Sequence, residues 1–163
     1  MSNWQNFIVI ILIQFVVFLA FLFIKKNANF TFKKFFASLV VGLVFGIAFD
    51  LIFGKLLGIF GYRMGFDWKF VVANGLLSYG IFAANVWLFR TDSFFTFYFQ
   101  TIIIGAIYEI ANHLFPVWFW DFGTGVLIEQ LVLLFAAYFG LAFIISIIIK
   151  IITEQTFEFF TLK

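Results

Sequence analysis

The chain has 163 residues, of which 65% are hydrophobic and 11% charged, and its mean hydropathy is +1.15. A water-soluble domain is about 45–50% apolar and about 25% charged, so this composition excludes one, and it also excludes disorder and a disulfide scaffold. The net charge of +2 does not indicate a nucleic-acid partner, and the absence of cysteine excludes thiolate chemistry. The remaining class is an integral membrane protein, with the lipid bilayer as its first partner.

Continuous apolar runs predict five helices, each long enough to cross about 30 Å of hydrocarbon. They cover residues 7–24, 35–58, 70–89, 93–114 and 126–149. The strands of a membrane barrel would instead alternate over segments of about ten residues. We therefore expect an all-α bundle of about five transmembrane helices that forms a single domain over residues 1–163.

Lysine and arginine near the helix ends predict the direction of the chain. The first connection, KKNANFTFKK, holds four lysines, and Arg90 and Lys150 follow the third and fifth helices. With five spans these positions share one side, which we expect to be the cytoplasm, with the N-terminus outside. The segments GYRMGFDW and FPVWFWDFG would then be outer connections, whose aromatic side chains favour the membrane interface.

Two carboxylates lie inside predicted spans, Asp50 and Glu109. An ionisable residue there costs about 2.5–3.5 kcal/mol on insertion scales, so it is a candidate site residue by default. Each lies about fifteen residues into a helix that enters from the cytoplasmic side, so both are expected at similar depth. The alternative for Asp50 is a buried carboxylate that only pairs with Lys55, Arg63 or a neighbouring helix.

Asp50 also belongs to a series of small residues spaced four apart. The glycines of this series are Gly42, Gly46, Gly54 and Gly58. Positions four apart share one helix face, so the series predicts a groove into which another helix packs closely.

On the fourth helix, Glu109, Asn112 and His113 follow the i, i+3, i+4 spacing that places them on one face. A carboxylate and an imidazole one turn apart can share a proton, although a single membrane histidine is more often a packing residue. A metal is not indicated, because the chain has one histidine and no dense carboxylate cluster.

The two carboxylates also end similar pentapeptides, GIAFD and GAIYE, at an offset of 59 residues. Each pentapeptide precedes an aromatic outer connection. Either the match is an accident of a chain rich in Phe, Gly and Ile, or it marks a repeated parallel helix pair. A repeat would place Asp50 and Glu109 around one pseudo-two-fold axis along the membrane normal.

The segment YEIANHLFPVWFWDFGTGVLIEQLVLLF resembles the small lycopene cyclase domains of bacteria and archaea, which are three-helix membrane units used in pairs. Glu109 matches the helix carboxylate of that family and residues 118–121 match its Trp-rich turn. Glu129 stands where the first Glu of a Pro-x-Glu-Glu motif would be, but Gln130 replaces the second Glu and the proline is missing. FDLIFGKLLGIFGY resembles the opening of the other copy, whereas VVANGLLSYG has no Glu.

This resemblance implies proton-driven cyclisation of an apolar isoprenoid in a bacterial or archaeal cytoplasmic membrane, without cofactor. The expected catalytic residues are Asp50, Glu109 and Glu129, because an acid must protonate a double bond and a carboxylate must stabilise and then deprotonate the cation. The expected ligand-binding residues are Tyr62, Asn74, Tyr79, Asn112, His113, Trp118, Trp120 and Asp121.

Two other functions use the same residues. In a transporter, substrate-binding subunit or channel, the carboxylates and His113 would bind a proton, cation or polar solute, and a homo-oligomer would be expected because five short spans enclose little space. In a structural subunit of a membrane complex, Asp50 and Glu109 would only pair across helices. An apolar crevice open sideways favours the enzyme, and a polar vestibule open to water favours the transporter.

Overall fold

The computed structural model describes residues 2–25, 30–89, 94–123 and 126–153. These residues are mostly helical, at 82%, and form five helices, as predicted. Helix α1 is Asn3–Lys25, α2 is Phe32–Phe49 continued by Asp50–Leu56, α3 runs through Trp68–Asn74, Gly75–Tyr79 and Gly80–Phe89, α4 is Phe94–Leu114, and α5 is Leu127–Thr153. Of the residues used to predict direction, Lys26 and Arg90 lie outside the described residues.

Four of these helices are long and apolar enough to cross a membrane, as judged over the described residues. They are Asn3–Lys25, Phe32–Leu56, Trp68–Leu88 and Leu127–Ile145. Helix α4, predicted as a fifth span, is not one of the four. Its sequence carries Gln100, Glu109, Asn112 and His113 among the apolar residues.

Helices α2 and α3 each contain a π-helical segment, Asp50–Leu56 and Gly75–Tyr79. The sequence predicted regular α-helix through both, because a change from i→i+4 to i→i+5 hydrogen bonds leaves no mark on an apolar run. One segment begins at Asp50 and the other ends at Tyr79. The helix predicted to reach residue 58 ends at Leu56, and Gly58 lies in the following turn with a φ of 70°.

Part of the predicted glycine groove is the contact between α2 and α3. A Cβ at Gly42 would overlap the backbone of Gly80, and a Cβ at Gly46 would lie 2.6 Å from the Cα of Gly75. The prediction is wrong for Gly54 and Gly58: a Cβ at Gly54 would lie 3.3 Å from the carbonyl oxygen of Phe60 in the connection after α2, and Gly58 lies beyond the end of α2 with nothing within 4 Å of a Cβ.

Two short strands join the helices, β1 (Phe60–Tyr62) and β2 (Trp118–Trp120). They pair antiparallel, with Phe60 opposite Trp120 and Tyr62 opposite Trp118. The sequence predicted these segments only as outer connections. The chain therefore contains two helix–strand–helix units, α2–β1–α3 and α4–β2–α5, which we call the first and second unit.

The offset of 59 residues extends across both units. Trp68 and Leu127, the first residues of α3 and α5, are 59 positions apart. Helix α1 precedes the first unit, and its start packs near the strands, since Asn6 donates a 3.2 Å hydrogen bond to the carbonyl of Pro116. The strands and the starts of α1, α3 and α5 thus lie at one end of the bundle.

Candidate functional site

In the first unit, Asp50 is the centre of a buried chain of hydrogen bonds. Asp50 is 1% exposed, and its Oδ2 accepts a 2.5 Å hydrogen bond from the Tyr62 hydroxyl. The same hydroxyl oxygen accepts a 2.7 Å bond from Asn74 Nδ2. The other carboxylate oxygen, Oδ1, has no hydrogen-bond partner among the described residues. Three predicted site residues, from α2, β1 and α3, are thus in direct contact.

Tyr62 is a hydrogen-bond donor to Asp50 over the whole physiological pH range. Burial is the main cause that raises the pKa of its hydroxyl well above the ordinary value of 10.0, and the nearby Tyr79 and Asp50 raise that pKa further. Tyr62 therefore keeps its proton. Since Asn74 occupies an oxygen lone pair of the same group, the hydroxyl is fixed in orientation.

In the second unit, Glu109 is bound by three aromatic donors. Its Oε1 accepts hydrogen bonds from the Tyr138 hydroxyl at 2.8 Å, from Trp120 Nε1 at 3.1 Å and from Trp118 Nε1 at 3.2 Å. Its Oε2 accepts one bond, from Trp118 Nε1 at 3.4 Å. The indoles come from β2 and the phenol from α5, so the side chain joins all three elements of its unit.

Tyr138 was not predicted as a site residue, and its equivalent in the first unit is Tyr79. The two tyrosines are 59 positions apart. A Cβ at Gly46 would lie 2.7 Å from the Tyr79 ring, and a Cβ at Gly105 would lie 2.7 Å from the Tyr138 ring. Each unit therefore packs a tyrosine of its second helix against a glycine one turn before its carboxylate. The offset of 59 applied to Tyr79 is the signal that would have found Tyr138.

A cavity of about 40 Å³ lies between α1, α3, α4 and α5. Seven of its twelve described lining residues are aromatic. They are Phe60, Tyr79, Phe82, Tyr108, Trp118, Trp120 and Tyr138. The polar lining consists of Gln14, Asn74, Ser78 and Glu109, of which Gln14 donates a 2.8 Å hydrogen bond to the Ser78 hydroxyl. The cavity thus has a polar side formed by α1 and α3 and an aromatic side that contains the Glu109 carboxylate.

Glu109 also lines an open crevice of about 570 Å³ between α4, β2 and α5. Asn112 and His113 line the same crevice, as expected from their shared helix face. Leucines 127, 131 and 134 and Gln130 line it from α5, and Arg63 lines it from the connection after β1. Because Glu109, Trp118 and Trp120 line both spaces, they form the wall shared by the cavity and the crevice.

A second crevice, of about 520 Å³, lies beside Asp50. Gly54, Gly61 and Phe66 line it, together with Lys55. The Lys55 ammonium lies 5.3 Å from the centre of the Phe66 ring, a cation–π contact. Asp50 therefore binds Tyr62 of β1, a partner that was not predicted, while the predicted partner Lys55 contacts an aromatic ring.

Three predicted residues have other surroundings. Asn112 holds β2 in place: its Oδ1 accepts from the backbone N–H of Val117 at 2.9 Å and of Trp118 at 3.0 Å, and its Nδ2 donates to the Trp118 carbonyl at 3.0 Å. Asp121 is exposed and accepts a 3.0 Å bond from the Gly123 N–H in a turn. Glu129 is exposed in the first turn of α5. Neither acid is among the described residues of the cavity or of the two crevices.

No protein-family model, curated protein or solved structure matches this chain. The candidate site therefore depends on its own geometry, and the likeness to small lycopene cyclase domains stays a prediction.

Proposed function

We propose that the chain is an integral membrane enzyme that cyclises an apolar, isoprenoid-like molecule by acid–base chemistry, as the resemblance to small lycopene cyclase domains implies. The observation that carries this proposal is the position of Glu109. It is a carboxylate held by Trp118, Trp120 and Tyr138, and it lines both an aromatic cavity and a crevice that has three leucines on α5.

The surface of the bundle supports a location in the membrane. Phe23 is 81% exposed, Leu56 78% and Ile128 73%, and similar side chains cover much of the helices. Contiguous exposed apolar surface is rare on soluble monomers, whereas lipid satisfies it. In this proposal all five helices cross the cytoplasmic membrane of a bacterium or archaeon, with the N-terminus outside and the C-terminus in the cytoplasm.

Part of the crevice lining suits a ligand with a long apolar segment. Residues 127, 131 and 134 recur at the spacing of one helix face, so α5 presents three leucines to the crevice, with Gln130 beside them. Trp118 and Trp120 add aromatic surface. The crevice is also lined by polar side chains, which are the groups that the transporter alternative would use for a solute; they are Arg63, Glu109, Asn112, His113 and Gln130.

The chemistry needs an acid, a cation-stabilising surface and a base. The acid protonates one carbon of a double bond, and a second double bond attacks the resulting carbocation to close a ring. A base then removes a proton from a carbon beside the new cation and restores a double bond, so the product is an isomer of the substrate. We assign the base to Glu109 and the stabilising surface to the aromatic rings around it. The acid is assigned to Asp50, protonated on the oxygen that has no partner among the described residues. Asp50 lines the second crevice, so the substrate must extend past Phe119, which lines both crevices.

Chromatography of pigments from a lycopene-accumulating bacterium that expresses the chain tests this proposal. A cyclised product with the mass of lycopene is expected, and it should disappear in Glu109→Gln and Asp50→Asn. Unchanged lycopene, with folded protein present in the membrane, would refute the proposal. Glu129→Gln tests a residue that the resemblance makes catalytic but that is exposed in the structure. If the variant still forms the product, Glu129 is not catalytic, as its exposed position implies. If the variant forms no product, Glu129 belongs to the active site.

A further inference from the structure

The aromatic cavity differs from an ordinary packing defect because its lining includes acceptors with spare capacity. Gln14 is 0% and Asn74 3% exposed, yet Gln14 Oε1 and Asn74 Oδ1 have no hydrogen-bond partner among the described residues. Glu109 is half-buried, and its Oε2 accepts a 3.4 Å bond, whereas a carboxylate oxygen can accept two. Buried acceptors are normally satisfied, so the two amide oxygens beside the carboxylate indicate a ligand that donates hydrogen bonds.

The charge of the cavity indicates that this ligand is a cation. Among the described lining residues, Glu109 carries the one formal charge and none is basic. The seven aromatic side chains add the second feature of cation sites, since ring faces attract positive charge. A hydroxyl can donate one hydrogen and a water two, but neither offsets the charge of Glu109.

A primary ammonium group has three N–H donors and one positive charge, which matches the three acceptors and the charge of the cavity. A Ca²⁺ or Mg²⁺ ion would instead require about six or more oxygen ligands. The volume of about 40 Å³ holds about three water-sized groups. This suits an ammonium nitrogen that carries one or two carbon atoms.

We infer that the cavity lined by Gln14, Asn74 and Glu109 binds a primary ammonium group, either that of a small cation such as methylammonium or the head of an alkylamine whose tail lies in the crevice. The shared wall of Glu109, Trp118 and Trp120 is where head and tail would meet. This inference goes beyond the proposed cyclisation and does not depend on it, because it requires neither proton transfer nor an isoprenoid.

Tryptophan fluorescence of the purified protein in dodecylmaltoside micelles tests this inference. Trp118 and Trp120 both donate to Glu109, so a cation beside that carboxylate should alter their emission. Methylammonium and dodecylammonium chloride should each give a saturable change, whereas sodium and tetramethylammonium chloride should give none. Dodecylammonium binding at least about tenfold more tightly would identify an alkylamine with its tail in the crevice, and equal binding would identify the small cation.

Three variants localise the site. Glu109→Gln and Gln14→Leu should each weaken methylammonium binding by about tenfold or more, since a hydrogen bond to a charged group is worth at least that factor. Asp67→Asn is the matched control: it removes the same charge outside the cavity and keeps a side chain that caps α3.

An absent saturable change in the folded protein would overturn the inference, as would an equal response to tetramethylammonium or an unaltered affinity in Glu109→Gln. If Glu109→Gln does not fold, the wild-type protein decides the question: a response to methylammonium without one to tetramethylammonium supports the inference, and equal responses overturn it. The two proposals fail separately, because the fluorescence titration needs no turnover and the pigment assay needs no added amine.

Discussion

Replacing Tyr62 by Phe isolates the energetic contribution of the hydrogen-bond chain around Asp50. The substitution removes one oxygen atom, and with it the donor to Asp50 Oδ2 and the acceptor for Asn74 Nδ2. Because Asp50 Oδ1 has no partner among the described residues, the whole carboxylate would then be buried without a hydrogen bond to the described part of the chain.

The size of the effect follows from the two bonds lost. A hydrogen bond between elements of a membrane protein is worth about 0.6 kcal/mol on average and about 1.7 kcal/mol at most. We therefore expect Tyr62→Phe to lower the free energy of unfolding by about 1–3 kcal/mol, toward the upper end because a carboxylate is one of the groups left unpaired.

Tyr108→Phe is the matched control for this measurement. Tyr108 is 3% exposed and Tyr62 is 6% exposed, so both rings are buried. Tyr108 accepts a 3.1 Å bond from Asn85 Nδ2, but that nitrogen also donates to the Ile81 carbonyl at 3.2 Å and so keeps a partner. We expect a loss of about 0.6 kcal/mol or less. Reversible unfolding in mixed SDS and dodecylmaltoside micelles, followed by circular dichroism, measures both losses, and equal losses would refute the reasoning.

Three other substitutions test the packing and the turn. Gly105→Ala would place a Cβ 2.7 Å from the Tyr138 ring, and we expect about 1–3 kcal/mol of destabilisation in the same unfolding assay. Gly140→Ala is its control, because nothing lies within 4 Å of a Cβ at that position. There we expect a gain in stability of up to about 1 kcal/mol from helix propensity. A loss of stability at Gly140 equal to that at Gly105 would contradict the packing explanation. Asn112→Ala removes three hydrogen bonds to the backbone at β2, so we expect the free energy of unfolding to fall by about 2–4 kcal/mol and the tryptophan emission to change. Unaltered emission would mean that β2 keeps its conformation without Asn112.

The helices were predictable because long apolar runs leave few alternatives. The run predicted at 7–24 forms Asn3–Lys25, and the run predicted at 93–114 forms Phe94–Leu114. The π-helical segments were not predictable, since the choice between i→i+4 and i→i+5 bonds depends on packing around Asp50 and Tyr79 rather than on local composition.

The site was predictable where a charge stands out from its surroundings and not where an aromatic residue stands among many. Asp50 and Glu109 are conspicuous in apolar helices, and each does bind aromatic donors from the strand of its own unit. Tyr138 lies in a run rich in Phe and Leu, where nothing local separates a hydrogen-bonding tyrosine from a packing one. The strands were missed for a related reason, because FGY and WFW have the composition of a membrane interface.

The antiparallel pairing of β1 and β2 has a consequence for the symmetry of the bundle. Phe60 lies opposite Trp120 and Tyr62 opposite Trp118, so both strands contribute the same kind of edge, as the two copies do in an isologous dimer. In a homodimer such a contact requires identical halves. Here one chain supplies both strands, so the halves can differ, and one unit holds an aspartate with a tyrosine while the other holds a glutamate with two tryptophans.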